Sequence, residues 1–315
     1  MRHGFKRTLV KAAALLPTAA LAFGLGAAQA QDVPVVKVGV LGFGTVNWEL
    51  DTIKREGFDT ANGISLEVQG FGGNEATAIA LLGDEVNLIV CDAFWVSQRR
   101  AEGMDITWVP HSYTVGGVVV KKDSGITDVS GLRGKRIGVA GGPADKSWLL
   151  LQAWSLDQLG ENIRDAMGAV EFGSPFLINK MLADGEVDAV MNFWHWNSRL
   201  LAQPDTYTQV IGTDEILGVL GVEGAVPLLG WAFKESWADA NPVAVEGFLK
   251  SSLAGKAMLR TSDTAWENLR ERMKTTENEA LHLTLRTNYR RGIVTSYSEA
   301  DREVARQAFS LLADL

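Results

Sequence analysis

The sequence predicts an α/β protein with two lobes, each a mostly parallel sheet with helices on both faces. In the first hundred residues, apolar segments typical of strands at 35–41, 64–68 and 86–91 alternate with helical patterns at 48–56 and 75–82. Such β-α-β-α-β alternation places helices on the faces of a parallel sheet. The same order begins again near residue 135, so the chain contains two units of this kind.

The second unit has helical patterns at 146–159 and 176–182 between apolar segments at 135–140 and 187–193. An extended segment at 118–122 is suited to crossing between the lobes, and residues 227–233 favour a returning strand. We therefore predict two hinge crossings and three ranges: a leader at 1–30, lobe 1 at 31–117 with 222–315, and lobe 2 at 118–221.

Tryptophans repeat with the same period as the two units. Trp48 precedes Trp148 by 100 residues, and Trp95 precedes Trp196 by 101. Each follows a predicted strand, and ligands of open α/β sheets bind beyond the carboxyl ends of the strands. These four side chains are therefore predicted to converge on one cleft.

The first thirty residues have the pattern of a cleavable secretory signal. Four basic residues precede or begin an apolar stretch, and Ala28-Gln29-Ala30 resembles a small-x-small cleavage site. A retained membrane anchor is the alternative, but Pro17 interrupts the apolar stretch. Cleavage predicts an exported protein in the periplasm, with 26 basic and 38 acidic residues and a net charge of −12. This sign disfavours nucleic acid as a partner.

Several segments together resemble the periplasmic solute-binding proteins of the nitrate, sulfonate and taurine ABC importers. They include Asn62-Gly-Ile-Ser-Leu-Glu67, Ala80-Leu-Leu-Gly-Asp-Glu-Val-Asn87 and Leu182-Ala-Asp-Gly-Glu-Val-Asp-Ala-Val190. Their combination in this order, rather than any one segment, is specific, and the resemblance covers roughly residues 35–250. It implies the two-lobed type II binding-protein fold, closing on its ligand. It also implies an ABC permease and its ATPase as partners, and we expect a monomer.

The candidate ligand-binding residues lie in loops after the predicted strands or near the hinge. Two glycine-bearing turns, 41–47 in the first unit and 141–147 in the second, each lead into a helix and would offer backbone N–H groups to an anion. Trp194 and Trp196 alternate on a segment taken as extended, so both are predicted to face one side, with His195 turned away. The full set is Phe43, Gly44, Thr45, Trp48, Asp92, Trp95, Tyr113, Thr114, Lys146, Trp148, Asn192, Trp194, Trp196 and Arg199.

Four tryptophans and Lys146 suggest a flat, anionic ligand, for which pyrroloquinoline quinone is the leading hypothesis. The alternatives are an alkyl sulfonate, taurine or a thiamine-pyrimidine solute, or a role as a periplasmic cofactor chaperone or sensor. An enzyme of the thiamine-pyrimidine synthase type is a further alternative, but it needs a cysteine-rich motif and this chain has one cysteine, Cys91. No catalytic set, metal site or required cofactor is predicted.

Overall fold

The computed structural model describes residues 33–313, so the predicted leader and its cleavage site lie outside the described residues. The strands are β1 (Val35–Leu41), β2 (Ser65–Phe71), β3 (Leu88–Asp92), β4 (Ile106–Ser112), β5 (Gly117–Lys121), β6 (Arg136–Ala140), β7 (Ala169–Gly173), β8 (Ala189–Asn192), β9 (Tyr207–Gly212) and β10 (Leu229–Lys234).

The helices are α1 (Val46–Glu56), α2 (Phe58–Ala61), α3 (Asn74–Leu82), α4 (Ala93–Ala101), α5 (Lys146–Leu159), α6 (Ile163–Ala166), α7 (Pro175–Asp184), α8 (Trp194–Leu201), α9 (Thr213–Val219), α10 (Glu235–Ala240), α11 (Pro242–Thr261), α12 (Asp263–Glu267), α13 (Arg270–Met273), α14 (Glu279–Arg291) and α15 (Glu299–Ala313). Within residues 33–313, none of these helices has the length and apolar character needed to span a bilayer.

Two five-stranded sheets form the framework, with strand orders β2-β1-β3-β10-β4 and β7-β6-β8-β5-β9. The first three strands of each order are parallel. In each sheet a single strand runs against the rest: β10 in the first and β5 in the second. Each reversed strand directly follows a crossing from the other sheet. The two βαβαβ units predicted from the repeat are therefore present, with equivalent strand orders.

The first crossing, residues 113–116, depends on close backbone packing. A β-carbon on Gly116 would lie 1.7 Å from the carbonyl oxygen of Asn192, and one on Gly117 would lie 2.4 Å from that of Ile211. No side chain fits at these distances, which explains the glycine pair where the chain enters the second sheet. Tyr113 donates its backbone N–H to the carbonyl of Gly292, which ties this crossing to the end of α14.

Buried side chains form separate cores beside the two sheets. The first includes Val38, Leu50 and Phe248, and the second includes Val139 and Leu150. The second core also receives Ala305 and Ala308 of α15, so the last helix packs beside the second sheet. A further cluster joins α1, α8 and the helices α11–α14, and it is described below with the site.

Candidate functional site

Most predicted site residues lie at the ends of β3 and β8 or in the turns and helices that directly follow β1, β3, β6 and β8, whereas Tyr113 and Thr114 follow β4. Three observations place the ends of the two sheets together. The Trp48 and Trp194 rings, from the first and second units, are 5.9 Å apart. A contact with the Phe43 backbone, in the first unit, raises the pKa of His195, in the second. Asp92, in the first unit, is close enough to Asp145, in the second, to raise its pKa, and Lys146 lowers it. The strand ends of the two sheets therefore meet, and this junction is called the cleft.

The four repeating tryptophans do not share one environment. Trp48 and Trp148 are only 4% and 1% exposed. Trp148 packs in the core of the second sheet near Phe172, whereas Trp95 and Trp196 are half-buried. Burial of Trp48 and Trp148 in protein leaves little ring surface for stacking on a solute. The structural reason given for a flat aromatic ligand, four convergent indoles, does not hold.

Trp194 and Trp196 do not lie on an extended segment, and the prediction that they face one side is wrong. Phe193 is the N-cap of α8, so the helix begins at Trp194, and residues two apart on a helix are about 200° apart. Trp194 packs against Trp48. Trp196 lies beside Phe176, with ring centroids 6.0 Å apart, and under the guanidinium of Arg199 at 5.5 Å.

Of the four helices that begin at the cleft, two have an aspartate cap at the N-terminus and two have no side-chain cap. At α5, the Asp145 carboxylate accepts hydrogen bonds from the backbone N–H groups of Ser147 and Trp148, and at α4 Asp92 accepts one from Trp95. The sequence predicted a bound anion at the starts of α1 and α5, and Asp145 occupies the start of α5, beside Lys146. The helices α1 and α8, with Thr45 and Phe193 as N-caps, have no side-chain cap.

Lys146 lies among acidic and thiol groups from both units. Burial raises the pKa of Asp145, nearby Asp92 raises it further, and Lys146 opposes both effects. Burial also raises the pKa of the Cys91 thiol well above its usual value. Asp92 raises this pKa further, and Lys146 lowers it. Two carboxylates therefore accompany one ammonium group here, so this side of the cleft carries no excess positive charge.

Three other predicted residues make contacts within the protein. Asn192 is 3% exposed, donates to the carbonyl of Pro175 and the side chain of Asn179, and accepts from the backbone of Phe193. The Thr114 hydroxyl lies 2.6 Å from that of Ser112 in the first crossing. Burial raises the pKa of the half-buried Tyr113. Asn192 thus fixes the start of α8.

In the first glycine-bearing turn, Gly44 is half-buried and Phe43 is 38% exposed.

The prediction that His195 turns away from the face of Trp194 and Trp196 rested on an extended segment, and that segment is the start of α8. His195 is 6% exposed and lies among the rings of Phe193, Trp194 and Trp196. Burial lowers its pKa to about 3, nearby Arg199 contributes, and the Phe43 backbone opposes the shift. The imidazole is therefore neutral at physiological pH, between the first unit's glycine turn and Arg199. An uncharged, enclosed histidine on a cleft helix could have been suspected only after α8 was known.

Arg199 is half-buried, and its Nη2 donates a hydrogen bond of 2.8 Å to the carbonyl of Met273. Burial lowers its pKa, although a guanidinium remains charged. Its position over Trp196 and near His195 places a cation on the α8 side of the cleft, in contrast to the acidic surroundings of Lys146.

Residues 52–262 match the family described as NMT1/THI5 like. The chain belongs to this family. The alkanesulfonate-binding protein SsuA from Xanthomonas axonopodis pv. citri, solved with MOPS bound, is similar in fold, with 17% identity, a TM-score of 0.70, and coverage of 90% of this chain and 94% of that chain. The periplasmic aliphatic sulphonate binding protein SsuA from Escherichia coli is also similar in fold, with 15% identity and a TM-score of 0.68. The match covers 89% of this chain and 92% of that chain.

The periplasmic nitrate-binding protein NrtA from Synechocystis PCC 6803 is also similar to this NMT1/THI5-like chain, with 13% identity, a TM-score of 0.60, and coverage of 76% of this chain and 66% of that chain. A search of curated proteins gives no match. The predicted two-lobed α/β fold is confirmed. None of these comparisons supports pyrroloquinoline quinone as a ligand.

Proposed function

We propose that this protein is the periplasmic substrate-binding component of an ABC importer. The observation that supports this role most strongly is the meeting of four strand-end loops from two sheets at one cleft, in a chain of this family. Such a cleft can enclose a solute between two lobes and release it when they separate. Lobe 1 would comprise residues 31–117 and 222–315, and lobe 2 residues 118–221.

The solute that fits the cleft best is a small organic anion such as an alkanesulfonate. Trp95, Trp196 and Phe43 keep part of their surface exposed and can contact an apolar group. Arg199 supplies a cation beside Trp196. The sulfonate-binding names of two similar structures agree with this class, although their identities of 17% and 15% concern the fold alone. Taurine adds an ammonium group that Asp92 and Asp145 could accept.

The partners in this role are a membrane permease and a cytoplasmic ATPase, and the working unit is a monomer in the periplasm. A thiamine-pyrimidine solute remains the alternative within the binding class. An enzyme of the thiamine-pyrimidine synthase type is the alternative from another class, and the two SsuA proteins of similar fold are binding proteins.

We expect the mature protein, residues 31–315, to be stabilised by at least one of ethanesulfonate, taurine and the thiamine pyrimidine. A ligand at a hundred times its dissociation constant adds about 2.7 kcal/mol, which raises the melting temperature by roughly 5–10 °C in a protein of this size. Calorimetric titration of each compound, with pyrroloquinoline quinone included, would then give the affinities.

Binding of pyrroloquinoline quinone with no sulfonate binding would restore the flat-ligand hypothesis. Absence of binding by every compound in this panel would contradict the proposed role. Ethylammonium serves as the size-matched control that lacks an anionic group, and we expect no shift with it.

A further inference from the structure

Helix α8 carries an unusual share of the buried polar atoms that have no hydrogen-bond partner within the chain. In the part of the chain that the structure describes there are nine such atoms, and five belong to α8: Nδ1 and Nε2 of His195, Nε1 of Trp196, Oδ1 of Asn197 and Nε of Arg199. Buried polar groups in native proteins are nearly always paired, so a cluster on one helix needs an explanation.

Stability does not explain this cluster, because burying an unpaired polar group costs free energy. The other unpaired atoms are scattered, and two of them, on His111 and His282, have a carboxylate oxygen 3.7 Å away. His195 also contacts the Phe43 backbone of the first unit, whereas the indole of Trp154 packs against the core of the second sheet. The α8 atoms therefore lie on the side of the second unit that meets the first.

Three of the α8 side chains are neighbours in space. The His195 and Trp196 ring centroids are 5.9 Å apart, and the Arg199 guanidinium is 5.5 Å from the Trp196 ring centre. Arg199 is also close enough to His195 to lower the pKa of the imidazole. His195 makes no hydrogen bond of normal geometry within the described chain, but a looser contact with the Phe43 backbone raises its pKa. The one N–H of the neutral ring is therefore shared between that backbone and any bound group.

The chemistry of these groups selects a ligand class. The indole N–H and the guanidinium N–H can only donate, and a neutral imidazole donates from one nitrogen. Three donors beside one positive charge suit a group with several acceptor oxygens. We propose that α8 carries an oxyanion subsite in which His195, Trp196 and Arg199 donate hydrogen bonds to the sulfonate or carboxylate group of the solute.

This inference rests on the proposed binding function and adds the residues that determine specificity. His195 becomes a binding residue that is effective because it is uncharged and enclosed. The Arg199 Nη2 bond to Met273 leaves Nε available and keeps the guanidinium in place. The uncapped start of α8 adds positive potential on the same side.

The test is calorimetric titration of ethanesulfonate and its neutral analogue ethanesulfonamide against the mature protein and three variants. Trp196→Phe keeps an aromatic ring, although a smaller one, and removes the indole N–H donor. His195→Ala removes both imidazole nitrogens, and His195→Gln restores one donor group and one acceptor group. We expect ethanesulfonate to bind roughly tenfold or more weakly to the first two, because each loses a hydrogen bond to a charged group. His195→Gln should recover part of the affinity.

The matched control is Trp154→Phe, which removes another buried, unpaired indole N–H outside the cleft. It should bind ethanesulfonate as the wild type does. Unchanged affinity in both Trp196→Phe and His195→Ala would overturn the subsite and leave the binding function intact, as would equal wild-type affinity for ethanesulfonate and ethanesulfonamide. Failure of the wild type to bind any solute would contradict the proposed function itself. If His195→Ala does not fold, Trp196→Phe alone decides.

Discussion

Trp48→Ala is expected to lower the free energy of unfolding by about 3–5 kcal/mol, the usual cost of removing a large aromatic side chain from a core. The Trp48 ring lies 5.9 Å from the rings of both Trp194 and Trp266, and 5.7 Å from that of Tyr289. Its loss would leave a cavity among α1, α8, α12 and α14. Denaturant unfolding of the mature protein measures the effect.

The same variant separates packing from stacking on a ligand. Trp48 is 4% exposed, so its first role is to hold together helices from both units. Trp237→Ala is the control, because Trp237 is half-buried on α10 and packs only at the margin of the first core. Unchanged stability of Trp48→Ala combined with weaker solute binding would show that Trp48 contacts the solute instead.

Lys256→Met is expected to destabilise the protein by about 1–3 kcal/mol at pH 8, because it removes the cation that lowers the pKa of the buried Glu49. Glu49 is 0% exposed and accepts from the Ser252 hydroxyl at 2.5 Å and from the Tyr289 hydroxyl at 3.4 Å. Lys256 is 5% exposed and lowers the pKa of Glu49, against the larger opposite effect of burial. His111 is beside this carboxylate, and burial followed by Lys256 lowers the pKa of its ring.

The destabilisation by Lys256→Met should depend on pH. Removing the cation raises the pKa of Glu49 further in the folded protein. When folding raises the pKa of a carboxyl group, the protein loses stability as the pH rises above the unfolded pKa, which is 4.5 for glutamate. The variant should therefore be closer to the wild type at pH 5 than at pH 8.

A double variant and a surface lysine complete this test. Glu49→Gln with Lys256→Met should recover most of the loss, since no uncompensated charge remains. Lys250→Met removes an exposed lysine of the same helix, which pairs with Glu246, and should change stability by less than about 0.5 kcal/mol. A pH-independent loss in Lys256→Met would contradict a charged Glu49.

The sequence predicted the elements whose signals are local. The apolar pattern at 35–41 and the helical pattern at 146–159 coincide with β1 and α5 at both ends. The two units were predictable because their repeat is visible in spacing alone, about 100 residues. The carboxylates Asp92 and Asp145 precede helices at positions that favour capping, so their hydrogen bonds to α4 and α5 could also have been predicted.

The environments of the site residues depend on distant contacts. Trp48 is buried by Trp266 and Tyr289, more than 200 residues away in the chain, and no local pattern indicates this. The prediction for His195 followed from an assumed extended segment, whereas α8 begins at Trp194, one residue before it. The strand ends were predictable, but which side chains meet there was not.

Native mass spectrometry of the protein purified from the periplasm of its own host tests the central claim most directly. The account predicts the mass of the mature chain plus one small organic anion, and loss of that anion in Trp196→Phe but not in Trp154→Phe. A spectrum with only the chain mass, unchanged after incubation with every solute of the panel, would contradict it.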